Sequence, residues 1–177
     1  MTVGEAPMIT TDKALPYITE GPDQTLDMMF NFEHMNADCV FTDYVPIPFS
    51  LRRFKGALTH WQRELEGKAW NALYIENHDH PRVVSRYGSK IYHVESAKLL
   101  AVSYLFLKGT PFVYQGQEIG MTNTHFSSID EVPDVSAKNQ YQRHMASGQK
   151  EHDVMDLINH AARDHARTPI QWSAEEN

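Results

Sequence analysis

An α/β protein built from parallel βα units is predicted by three observations. Short runs of β-branched and aromatic residues alternate with amphipathic helical stretches. The alternation repeats at about 40 residues, the size of a strand with its crossover helix. Each strand candidate also runs directly into a polar cluster, and in a parallel sheet ligands bind outside the carboxyl ends of the strands.

The elements follow in chain order. Met1 to Val3 would make a strand if the element began upstream, and Met28 to Phe32 has the length of a buried strand. From Leu51 to Glu66, the residues Leu51, Phe54, Leu58, Trp61 and Leu65 fall at steps of three and four, so they make one apolar stripe on a helix. Ser50 is its expected N-cap, and Gly67 suits the left-handed stop beyond its end. Ala72 to Ile75 reads as the next strand. Val94 to Lys108 reads as a helix apolar nearly all round, hence covered on most sides, and it stops before Gly109 and Pro111. Phe112 to Tyr114 is the last strand candidate. Residues 1–122 therefore form one sheet-and-helix unit. Residues 123–177 change character: Thr124 to Lys138 reads as a loop, and Asn139–Met145 and Glu151–Arg163 as helices.

Composition narrows the function. The 177 residues carry 23 Asp and Glu against 16 Lys and Arg, a formal charge of −7, which weighs against nucleic acid as a partner. Leu99 to Leu107 is the longest apolar stretch and falls far short of the roughly 20 residues that span a bilayer, so no membrane partner is expected. The start has no basic segment followed by an apolar one, and Cys39 is a lone cysteine, which together predict a reducing, cytoplasmic setting. The ten histidines show no tight ligand spacing, and GTPFVYQGQEIG lacks the spacing of a phosphate loop, so neither metal nor cofactor is expected.

The strand-end clusters are Gly4-Glu5, Glu33-His34, Glu76-Asn77-His78-Asp79 and Gln115-Gly116-Gln117-Glu118. A carboxylic acid partly buried at the mouth of an apolar strand has its pKa raised and suits general acid work. A second carboxylate kept ionised can stabilise developing positive charge, and glycoside hydrolysis needs such a pair. Glu5 and Asp79 are the natural candidates. A lone Glu after a strand is more often a solvated turn residue or a helix cap, and His78 and Asp79 equally make a structural hydrogen bond.

Five motifs stand in one order: MTVGEAP from Met1, FEHM from Phe32, ENHDHPR from Glu76 with VVSRYG after it, GTPFVYQG from Gly109, and ARTPIQW from Ala166. The sequence resembles glycoside hydrolase family thirteen, the α-amylase family, and within it the branch of oligo-1,6-glucosidases and α-glucosidases. That resemblance implies an α/β fold, the second half (about strands 5 to 8) of a (β/α)8 barrel. It implies that Glu5 is the catalytic acid/base and that Asp79 is the carboxylate that holds sugar hydroxyls and steadies the transition state. His78 would bind the same hydroxyls, and Arg167 would help close the pocket on a terminal glucose. Gln117 departs from the branch's usual Glu in the QGEE motif.

The family's nucleophile, an aspartate in a motif resembling GFRxD, does not occur in these residues. Four strands in 177 residues are also short of the roughly 250 that an eight-stranded barrel takes. The expected function is therefore that of a piece of a retaining α-glucosidase acting on α-1,4 or α-1,6 bonds of short oligosaccharides, inactive alone. Open sheet edges predict self-association or pairing with a complementary half-barrel. The rival expectation is a non-catalytic half-barrel that binds sugar, or a partner, through Asp79, His78 and Arg167.

Overall fold

The computed structural model describes residues 1–173; the end of the expected 123–177 region, residues 174–177, lies outside the described residues. Two parallel pairs form the centre. Strand β1 (Val3–Glu5) pairs with β2 (Met28–Phe30), and β5 (Ala72–Leu73) pairs with β6 (Thr110–Pro111). Strand β2 lies beside β5, joined by the Tyr74 hydroxyl donating to the Asn31 carbonyl at 2.8 Å and by edge-on contact of Phe30 with Tyr74. The four strands thus follow one another in chain order, as βα units require. An antiparallel hairpin, β3 (Cys39–Val40) and β4 (Thr42–Pro46), stands apart from them.

Helix α1 (Thr11–Ile18) connects β1 to β2 and buries Ala14 and Ile18. It is absent from the sequence expectation because it is short and holds Pro16, a residue that ordinarily ends helices. Helix α2 (Leu51–Leu65) matches the expected stripe: Phe54, Trp61 and Leu65 are buried, and the Ser50 hydroxyl accepts from the Arg53 amide at 3.3 Å. Leu51 is the exception, 66% exposed at the helix start. Helices α3 (Val83–Tyr87) and α4 (His93–Leu105) follow β5.

The structure overturns the expected covering of α4. Among the described residues only Leu100 and Tyr104 of this helix are buried, against the cluster around Leu73, Ile75 and Val84. Leu99 and Val102, with Phe106 just past the end, point outward. One face of the helix has a packing partner in these residues and the other does not. The last strand also starts earlier than expected, at Thr110. The Thr110 and Phe112 amides donate to the carbonyls of Asn71 and Leu73, so the parallel ladder begins as soon as the chain turns at Gly109.

The later region is more helical than its polar composition predicts. Ile129–Glu131 is a 3-10 turn, and α5 (Val135–Ala146) starts four residues before the expected Asn139. The Asp134 carboxylate caps it, accepting from the Ser136 and Ala137 amides, both at 3.1 Å. Helix α6 (Glu151–Ala161) buries Val154 and Ile158 in a third cluster with Phe126, Val132 and Ala137. A 3-10 segment, Arg163–Arg167, then brings the chain back to the strand ends.

Candidate active site

Glu5 is the last residue of β1 and is exposed, so the described residues do not supply the partial burial expected around it. Asp79 lies six residues past β5 in a loop that begins with a buried carboxylate. That carboxylate, Glu76, has no exposed side-chain surface and pairs at 2.7 Å with Arg82, which has none either. Its second oxygen accepts from the Val83 amide at 2.8 Å. Burial raises the Glu76 pKa despite these partners, while the guanidinium and the amide pull it back. Arg82 also donates to the carbonyls of Gln115 and His165, so one side chain ties the 76–82 loop to the end of β6 and to the 163–167 segment.

This tie brings Asp79 and Arg167 together. Arg167 donates to Asp79 Oδ1 at 2.8 Å and to the His78 carbonyl at 2.9 Å. The His78 ring stands 3.3 Å from Asp79 Oδ2, and the Asn77 side chain accepts from the Asp79 amide. Three of the four expected site residues thus form one cluster. Glu5 and Asp79 line one cleft of about 840 Å³, so both carboxylates face a common space.

Arg163 and Asp134 belong to this site and are not among the sequence-based candidates. Arg163 lies 3.8 Å from Asp79 Oδ1 and pairs with Asp134 at 2.8 Å, linking the cleft to the start of α5. The available signal was its place four residues before Arg167, a little over one 3-10 turn away. Asp134 carried no such signal, since its partner lies 29 residues further on.

The His80 ring meets Asp43 at 2.7 Å, and Asp43 with Asp38 holds the buried Arg86 guanidinium. Arg86 and His80 hold the Asp43 carboxyl below the usual range although burial pushes the other way. Asp38, Cys39 and Asp43 have ligand atoms within 4.8 Å of one another, the spacing of a cation site. The position is already taken by a cation of the chain's own, Arg86, and burial pushes the Cys39 thiol up to about 11. Gln117, the departure from the QGEE motif, donates to the Tyr104 hydroxyl and accepts from the Tyr114 amide. A glutamate could not make that donation unless protonated.

Two histidines are neutral parts of the core. Burial lowers both His34 and His165 to about 4, outweighing the nearby Tyr74 carbonyl for His34 and the Ile158 and Asn159 carbonyls for His165. Their folded values lie below the unfolded 6.5, so their contribution to stability is complete above that pH and is lost as pH falls towards 4. Each is expected to cost at most about 3 kcal/mol by pH 4. Urea unfolding at pH 7 and pH 5 checks this. His165→Phe, which keeps a ring stacked on Phe126, is expected to remove part of the pH dependence, and an unchanged dependence contradicts the assignment.

Parallel βα units that gather carboxylates and guanidinium groups at strand carboxyl ends define the class of α/β barrels with their ligand sites at that end. Comparison with known proteins makes the class particular: residues 1–177 match the family described as "Alpha amylase, catalytic domain", and the chain belongs to it. It is 46% identical over 180 residues to an oligo-1,6-glucosidase of Parageobacillus thermoglucosidasius, covering 100% of this chain and 32% of that protein. An oligo-1,6-glucosidase of Bacillus cereus is 48% identical, covering 97% of this chain and 31% of its own length. Among solved structures, trehalose-6-phosphate hydrolase of Bacillus licheniformis matches with a TM-score of 0.92 at 40% identity, over 100% of this chain and 32% of that one. The chain therefore spans about a third of the length of these relatives. Among the described residues no helix is long and apolar enough to cross a membrane.

Proposed function

We propose that this chain is the second half, about strands five to eight, of the (β/α)8 barrel of a retaining α-glucosidase. Residues 1–122 are its sheet-and-helix portion, and residues 123–177 are a loop and helical region of the same catalytic domain. The observation that carries the reading is the cluster of His78, Asp79 and Arg167, of which Asp79 lines a cleft shared with Glu5. The substrate is a short oligosaccharide with an α-1,4 or α-1,6 glucosidic bond, in keeping with the relatives' names. The buried free thiol of Cys39 suits a reducing cytoplasm.

An aspartate supplied from outside these residues attacks the anomeric carbon while Glu5 protonates the leaving oxygen. Water then attacks the glycosyl-enzyme with Glu5 as base. Asp79 meets the positive charge that develops on the sugar ring, and Arg167 and His78 hold its two oxygens in place. The 177-residue chain alone lacks the attacking aspartate, so it is expected to release no nitrophenol from p-nitrophenyl α-glucoside. Within the complete barrel, Asp79→Ala is expected to lower kcat about 10²–10³-fold, the usual loss when one stabiliser of transition-state charge is removed. An unchanged kcat contradicts the role.

A further inference from the structure

Asp79 meets two guanidinium groups on one oxygen. Arg167 donates to Oδ1 at 2.8 Å, and Arg163 stands 3.8 Å from the same atom. The other oxygen, Oδ2, faces the His78 ring at 3.3 Å. Both arginines come from the single 3-10 segment Arg163–Arg167, yet they are held differently. Arg167 is tied to the loop it serves, through Asp79 and the His78 carbonyl. Arg163 is tied elsewhere, because a second nitrogen of its guanidinium pairs with Asp134 at 2.8 Å.

Asp134 is a fixed point. Its side chain is 3% exposed, and its two oxygens accept from the Ser136 and Ala137 amides at the start of α5. Its own amide donates to the Asp164 carboxylate at 2.7 Å, so the residue after Arg163 is fastened to the same helix start. These bonds hold both the backbone beside Arg163 and the tip of its side chain on α5. A guanidinium carries N–H groups on two edges and bridges two carboxylates in a set geometry, which a lysine ammonium does not. The bridge also places a positive charge against two carboxylates, Asp79 and Asp134, which would otherwise repel each other.

We infer that Arg163 is a positioning residue for Asp79. It anchors Oδ1 to the start of α5, so the carboxylate does not turn about its own side-chain bond, and Oδ2 is the oxygen left to meet the sugar ring. The inference rests on the proposed role of Asp79 in steadying the transition state. A group that stabilises developing charge works by being in place beforehand, and a bonded, buried support supplies that. Arg163 acts through Asp79 and needs no contact with the substrate.

The test uses the complete enzyme that carries this chain, with nitrophenol release from p-nitrophenyl α-glucoside as the readout. The double variant Arg163→Ala/Asp134→Asn removes the cation without stranding a buried charge, and asparagine caps a helix as well as aspartate does. It is expected to melt near the wild-type temperature and to lose kcat about 10–100-fold, the scale of a small misplacement at a reacting centre. KM should change by less than about threefold, because Asp79 acts chiefly in the transition state. In an Asp79→Ala background the same two changes are expected to cost less than about twofold, since a residue that acts through Asp79 has nothing left to position. Arg163→Lys, which keeps a charge for Asp134, is expected to show a smaller kcat loss that likewise vanishes in that background, and it carries the test if the double variant does not fold. A folded variant with wild-type kcat, or one with the same fold loss in both backgrounds, overturns the inference while leaving the role of Asp79 in place. Wild-type kcat in Asp79→Ala itself overturns the proposed role of Asp79 and this inference with it.

Discussion

Arg82→Met is expected to lower folding stability by about 3–5 kcal/mol, the cost of leaving a buried charge without its partner. The side chains of Arg82 and Glu76 have no exposed surface, and the guanidinium serves Glu76, the Gln115 carbonyl and the His165 carbonyl. Removing it strands a carboxylate whose pKa burial already raises. A raised folded value means that the carboxyl favours folding at low pH and loses that contribution as pH rises from the unfolded 4.5 through the folded value. The variant's deficit should therefore be larger at pH 8 than at pH 5, as unfolding in urea would show. The double variant Arg82→Met/Glu76→Leu, with no charge left to strand, is expected to recover much of the loss. A single variant as stable as wild type at pH 8 would contradict the assignment.

The same pair explains how the site is assembled. Asp79 and Arg167 lie far apart in sequence and meet because Arg82 anchors the Asp79 loop from below while bonding to the 163–167 segment. The Tyr114 hydroxyl, donating to the Ala166 carbonyl, adds a tie from the end of β6. Position is thus set by buried, fully bonded groups, which leave the Asp79 carboxylate on the cleft.

Features that depend on neighbours in sequence were legible without a structure. The stripe and cap of α2 follow from the side-chain period and from Ser50, and the four strand segments follow from local composition. The strand-end place of Asp79 was legible because it belongs to a polar cluster, Glu76 to Asp79, that follows an apolar run, and in a parallel sheet such a cluster lies past the strand's carboxyl end. Features that depend on contacts distant in sequence were not. Nothing local joins Arg163 to Asp134, or Arg86 to Asp38 and Asp43, and an apolar helix such as α4 does not declare which surfaces will cover it. The hairpin of β3 and β4 was hidden for another reason: its residues include Asp43 and Pro46, and neither favours strands.

The central claim is that Glu5 is the acid/base of a glucosidase that uses Asp79 beside it. It is tested most directly by nitrophenol release from p-nitrophenyl α-glucoside, comparing wild type with Glu5→Gln in the complete barrel. The amide can neither give the leaving oxygen a proton nor take one from water, so turnover is expected to fall about 10²–10⁴-fold. Added azide, which needs no general base to attack the glycosyl-enzyme, is expected to restore part of the rate to a variant whose acid/base has been removed. Turnover unchanged by Glu5→Gln, or lost without any recovery in azide, would contradict the account.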